Sequence, residues 1–226
     1  MCGRFTLAAA PETLTETFPG FKMPDELPPR YNIAPSQKVL VVPNTGENKI
    51  DFFQWGLIPS WAKDPTIGNR MINARAETLA EKPSFRSAYR RRRCLVLADG
   101  FYEWRREPGK QSKIPMYIRL RSGAPFAFAG LWEVWLPSKD APSVRSCTII
   151  TCPPNSFLEN IHNRMPVILE SEAYDLWLDM HNQSPDQLNV LLKPYPAEEM
   201  TAYAVSLLVN QPKNDSPACI EPAEQE

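Results

Sequence analysis

Proline constrains this chain more than any other residue type. It occurs 24 times in 226 residues, against 9 glycines. Each proline fixes φ and removes a backbone donor, so it interrupts helices and central strands, and regular elements should be short. Segments that read as strands are Val39–Val42, Phe52–Trp55, Cys94–Ala98, Phe101–Arg105, Ile114–Leu120, Phe126–Trp132, Cys147–Thr151 and Ala202–Val205. In one of these, Ile114, Met116, Ile118 and Leu120 alternate with Pro115, Tyr117 and Arg119, the period-2 pattern of a half-buried antiparallel strand. Helical candidates are fewer: Pro11–Phe18, Ser84–Arg90, Asn155–Ile161, Glu172–Leu178 and Pro185–Leu192. Ser171 and Ser184 are candidate N-caps, the second ahead of a proline at the first helical position. No internal repeat or long linker divides the chain. The expected architecture is an α+β fold: a single β-rich domain over residues 1–209, with a curved or barrel-like antiparallel sheet and short flanking helices. Residues 210–226 are polar, acidic and proline-containing, and read as a flexible tail.

Several function classes are disfavoured at once. No apolar run approaches the roughly 18 residues of a membrane-spanning helix, and the N-terminus lacks the basic-then-apolar form of a secretory signal. A cytoplasmic protein without a membrane partner is expected. Five cysteines, an odd number, argue against a disulfide framework. There is no CxxC, and His162 and His181 lie far apart, so neither a metal nor another cofactor is expected. The net charge of −1 suggests no polyanionic partner by itself, but it is unevenly spread. Residues 1–121 hold 20 Lys and Arg against 12 Asp and Glu, whereas residues 122–226 hold 5 against 14. Such asymmetry suggests one basic and one acidic surface, although taken alone ordinary solvated charge is the better explanation. The Arg90–Arg93 run reads mainly as a solvated face.

The N-terminal Met1-Cys2-Gly3-Arg4 carries distinctive chemistry. Aminopeptidases generally remove Met1 when the next residue is small. Cys2 would then bear a free α-amine, with a reference pKa of about 7.7–8.0, beside a thiol of about 8.5. Such a 1,2-aminothiol condenses with an aldehyde to an imine, and the thiol closes this to a thiazolidine ring. Three further segments hold polar groups in suggestive settings. Asn73 follows the apolar pair Met71-Ile72. Glu103 lies between Tyr102 and Trp104, where a carboxyl group can have a raised pKa. His162 is followed by Arg164 and can transfer protons near neutral pH. Structural roles compete with each: Cys2 as a buried small hydrophobe, Asn73 as a helix cap, Glu103 as a partner of Arg105, and His162 as a helix end.

Six ordered motifs narrow these alternatives: MCGRF at the start, RYNIAPSQ at 30–37, WGLIPSW at 55–61, NARAET at 73–78, ADGFYEW at 98–104 and IHNRMPVIL at 161–169. Together they resemble the SOS-response-associated peptidase (SRAP) family over nearly the whole chain. The resemblance implies a compact β-rich domain that crosslinks to abasic sites through an N-terminal cysteine in a DNA groove. Residue by residue, it implies Cys2 as nucleophile, Asn73 as the asparagine that positions it, Glu103 as the catalytic carboxylate and His162 as the active-site histidine. Arg4, Arg75 and Arg164 lie in motifs that imply phosphate contacts, and Pro35, Trp61 and Phe101 could stack beside bases.

The expected partner is single-stranded DNA containing an abasic site, bound by a monomer associated with the nucleoid. A thiol peptidase using Cys2, His162 and Glu103, which self-removal of Met1 would fit, is the competing enzyme reading. A noncatalytic single-strand binding module is the third. The peptidase would act without DNA, whereas the binding module would not need Cys2.

Overall fold

The computed structural model describes residues 2–107, 109, 112–138 and 140–223. Thirteen short strands and four short α-helices carry the fold. In chain order these are β1 (Phe5–Leu7), α1 (Pro11–Thr17), β2 (Arg30–Ile33), β3 (Lys38–Pro43), β4 (Asp51–Trp55), β5 (Asn73–Arg75) and α2 (Arg86–Arg91). Then come β6 (Arg93–Ala98), β7 (Gly100–Arg106), β8 (Lys113–Leu120), β9 (Phe126–Trp135) and β10 (Val144–Cys152). The chain ends with β11 (Met165–Pro166), β12 (Ile168–Leu169), α3 (Tyr174–Leu178), α4 (Pro185–Asn189) and β13 (Met200–Ala204). Every strand segment expected from the sequence is present, and none of the α-helices exceeds 7 residues. Among the described residues, no helix is long and apolar enough to cross a membrane.

Five strands close into a barrel in the order β4-β3-β6-β9-β10, the ring being completed by a parallel pairing of β10 with β4. A second, five-stranded sheet runs β13-β8-β7-β1-β2. The two layers meet through aromatic side chains. Phe5 of β1 packs edge-on to Trp55 and Phe128, with ring centroids 5.0 and 5.8 Å away. Phe101 of β7 packs on Phe128 at 6.0 Å. Such edge-to-face contacts add stabilisation beyond burial of area. β1 is therefore pinned within three residues of Cys2.

The segment after Val209 is not a free tail. Asp215 pairs with Arg30 at 2.5 Å and accepts the backbone N–H groups of Tyr31 and Asn32. Tyr102 donates to the Cys219 carbonyl, and Val205 bridges to Pro222. Residues 205–220 thereby cover the outer face of the second sheet, where Tyr102, Tyr117, Val205 and Val209 form a small core. This cover also buries Pro115 and Tyr117, so the centre of β8 is buried on both faces rather than one. Polar composition concealed this anchoring because the tail is held largely by hydrogen bonds and a few apolar anchors. Residues 224–226 of the expected tail lie outside the described residues.

Other local differences have simple causes. Residues 155–161 form turns rather than a helix, with Asn155 capping the Leu158 N–H through its side chain and donating to the Tyr195 carbonyl. Ser171 starts a 3-10 turn instead of capping it, and Ser184 makes no side-chain cap. The arginine run is divided. Arg90 and Arg91 are exposed, Arg92 pairs with Glu133 at 2.7 Å, and Arg93 is fully buried. The Arg93 guanidinium donates to the carbonyls of Tyr89, Arg90, Trp177, Asp179 and Asn182. It thus satisfies free carbonyls at the ends of α2 and α3.

Candidate active site

The aromatic anchoring of β1 determines where Cys2 lies. β1 pairs with β7 with Phe5 opposite Phe101, and the Tyr102 N–H donates to the Arg4 carbonyl at 2.9 Å. This register draws the residues ahead of β1 toward Glu103. Cys2 is fully buried, and its thiol points at the Arg4 carbonyl, 3.9 Å away. Burial, with a smaller effect of the Glu103 charge, pushes the Cys2 thiol far up. It is therefore a protonated thiol at neutral pH, with less thiolate than an exposed cysteine.

Asn73 comes from the barrel side. β5 runs parallel to β10 with Asn73 opposite Ile149, and the Asn73 side-chain amide donates to the Cys2 carbonyl at 2.7 Å. Its carbonyl oxygen, Oδ1, is buried and has no hydrogen-bond partner among the described residues. Glu103 is only 3% exposed, and its pKa is pushed up to about 7, chiefly by burial. His162 lies in the turn after β10, its Nε2 3.8 Å from Glu103 Oε2. Burial, then nearby positive charge, lowers its pKa, so it is mostly neutral at pH 7. The Arg164 N–H donates to His162 Nδ1 at 3.1 Å, while the Arg164 carbonyl stands 3.2 Å from the same nitrogen. Either neutral tautomer thus has a partner. The four residues singled out from the sequence converge: an aminothiol precursor, a carboxyl group titrating near neutrality, a neutral imidazole and a buried amide.

The positions expected to touch DNA divide into two groups. Arg75 is exposed, Pro35 partly so, and Trp61 is 59% exposed. Trp61 is displayed on a loop closed by two glycines. Gly56 has φ +126°, and a Cβ there would meet the Gly68 carbonyl oxygen at 2.7 Å, so only glycine lets the two backbones approach. Arg4, in contrast, is buried, and its guanidinium donates to Asn32 Oδ1 at 2.6 Å and to the Val209 carbonyl. Arg164 is clasped by Glu77, at 2.5 and 3.0 Å, and by the Thr151 carbonyl at 2.6 Å. Phe101 is fully buried. In these three the donors or the surface are engaged by partners within the fold. Sequence reasoning gave no role to Glu77 or Asn32, although both lie within quoted motifs. Their charge or amide pairing with an arginine in another motif was the available signal.

The SOS response associated peptidase (SRAP) family model matches residues 1–212. The chain belongs to the SRAP family. Among SRAP relatives, it is 52% identical over 224 residues to the abasic site processing protein YoqW of Bacillus subtilis, covering 98% of this chain and 99% of that one. It is 32% identical to the abasic site processing protein HMCES of Pongo abelii, covering 99% of this chain and 77% of the relative. A crystal structure of a protein from Bacteroides thetaiotaomicron superimposes with a TM-score of 0.88 at 29% identity, covering 99% of this chain and 100% of that one. The superposition therefore takes in the polar C-terminal segment as well.

Proposed function

We propose that this protein processes abasic sites in single-stranded DNA by joining Cys2, after removal of Met1, to the abasic aldehyde as a thiazolidine. The observation that carries the proposal is the convergence of Asn73, Glu103 and His162 on Cys2. The names of the relatives supply the substrate class.

The chemistry runs amine first. The neutral Cys2 amine adds to C1′ of the open-chain sugar, and loss of water gives an imine. Glu103, part protonated near neutrality, donates a proton to the departing hydroxyl. The thiol then adds across the C=N bond. A C–S bond forms, the thiol proton passes by way of Glu103 to the nitrogen, and no oxidant or reductant is needed. Consuming the imine prevents loss of a C2′ proton and the strand break that follows. Asn73 Oδ1, a buried acceptor beside Cys2, would hold the freed amine, and proximity alone contributes several kcal/mol. His162 would bond the released sugar hydroxyl. Arg75 would contact phosphate, with Pro35 and Trp61 beside neighbouring bases. A thiol kept protonated by burial favours amine-first condensation over thiolate attack on a peptide.

The test is denaturing electrophoresis of protein mixed with abasic single-stranded DNA, alongside intact-mass spectrometry. Active protein should lack Met1, Cys2→Ala should form no crosslink, and Cys2→Ser should crosslink poorly while cleaved strand accumulates. Normal crosslinking by Cys2→Ala, or by protein retaining Met1, would overturn the proposal.

A further inference from the structure

A second polar cavity adjoins the site, of about 430 Å³ and open to solvent. Trp104, Arg106 and Lys113 of the β7–β8 hairpin form one side, and the turn from Glu159 to His162 forms the other. His162 is thus a wall shared with the catalytic cleft, because its Nε2 faces Glu103. Arg106 and Lys113 stand directly opposite each other in the antiparallel register. Like charges in that position destabilise a hairpin. Neither is within ion-pair distance of a carboxylate among the described residues. Two cations that face one cavity and have no ion-pair partner among the described residues are what an anionic ligand would require. Lys113 is near enough to lower the pKa of both Glu103 and His162, and Arg106 that of His162.

We infer that this cavity holds the sugar-phosphate backbone of the strand next to the abasic nucleotide, with Arg106 and Lys113 as its phosphate ligands. The inference rests on the function proposed above and extends it to a subsite. Its volume suits a nucleotide-sized group. The Trp104 indole N–H is bonded to Asn210 at 2.8 Å, which holds the ring as a fixed apolar wall for the sugar. Among the described residues, Glu159 is the acidic group lining the cavity. Against Arg106 and Lys113 it leaves one excess positive charge and directs a phosphate toward the hairpin. A strand leaving the catalytic cleft past His162 would enter here, and a backbone contact of this kind positions DNA without reading its sequence.

The double variant Arg106→Gln/Lys113→Gln tests this. Both positions are exposed at the hairpin end, and removing a like-charge pair should not lower thermal stability, which a melt verifies. The first measurement is salt-dependent binding of undamaged single-stranded DNA. The log–log slope should fall in magnitude by about 1.4, from roughly 0.7 per phosphate contact. The second is a walk of single neutral methylphosphonates along an abasic oligonucleotide. Wild type should crosslink more slowly when one phosphate beside the lesion is neutralised, and the double variant should be indifferent to that replacement. An unchanged slope in a folded variant, or the same penalty in both proteins, would overturn the inference. So would inorganic phosphate that competes as well as DNA does, which would indicate a free-anion site. If wild type binds strands yet never crosslinks, the proposed function fails, while the slope comparison still decides the subsite.

Discussion

Burial within β7 keeps the Glu103 carboxyl part protonated near neutrality, and two consequences follow at this one residue. The first is kinetic. In the proposed mechanism crosslinking needs the neutral amine of Cys2 and a proton on Glu103, so its pH profile should be bell-shaped, with apparent values that belong to the pair. Glu103→Gln retains the shape but cannot titrate. It should slow formation and reversal by about 10²–10⁴-fold, leave binding of undamaged strands nearly unchanged, and convert the bell into a rise and plateau set by the amine. Stopped time courses beside an equilibrium binding assay measure this. Normal rates in Glu103→Gln would show that the carboxylate is only structural. The second consequence concerns stability. A carboxyl group whose folded pKa is raised binds its proton more tightly when folded, so its ionisation weakens the fold as pH rises from the ordinary carboxylate range to about 7. Glu103→Gln should therefore melt higher than wild type above pH 7 and lose that advantage below about pH 5, the usual exchange of stability for activity.

Among elements, the turn bearing His162 depends on a tie to the barrel. Arg164 reaches from this turn to Glu77, just past β5, and to the carbonyl of Thr151 at the end of β10. Asn73 begins that same β5. The Glu77–Arg164 pair therefore couples the strand that holds Cys2 to the turn that holds His162. Glu77 is about half exposed, so the pair itself adds little to global stability. Its importance is geometric. Glu77→Ala should leave melting and strand affinity nearly unchanged while slowing crosslinking about three- to tenfold, equivalent to roughly 1 kcal/mol of barrier. Glu77→Asp should recover part of the rate. A weakened affinity with an unchanged rate would instead assign this pair to phosphate binding.

For the whole molecule, the decisive feature is that the C-terminal segment covers the outer face of the second sheet. Arg4, two residues from Cys2, donates to the Val209 carbonyl, and Asn32 donates to the carbonyls of Gln211 and Asn214. Deleting residues 210–226 should partly uncover the Tyr102–Tyr117 cluster, remove Asp215 from Arg30 and Gln211, Asn214 and Asp215 from Asn32, and cost on the order of 3 kcal/mol or more. Chemical denaturation of the truncated protein measures this, and an unchanged midpoint would restore the flexible tail expected from composition. The charge asymmetry of the chain also takes shape at this scale. Arg75, Arg106 and Lys113 come from the basic half and are exposed around the cleft, whereas the equally basic Arg4 and Arg93 are buried.

Much was legible in the sequence because it depends on local rules. Dense prolines forced short elements, alternation located the strands, and the ordered motifs singled out Cys2, Asn73, Glu103 and His162. Those four are recognisable because their chemistry is unusual for their residue types. What one line of sequence could not decide was which cations face solvent. Arg4, Arg75 and Arg164 look alike as motif residues, yet Asn32 absorbs one, Glu77 clasps another and only Arg75 stays exposed. That outcome rests on partners 28 and 87 residues away for Arg4 and Arg164. Likewise, closure of the barrel by a parallel β4–β10 pairing and the anchoring of the tail arise from long-range hydrogen bonds. Composition and periodicity describe a residue's neighbours along the chain, whereas burial and pKa depend on its neighbours in space.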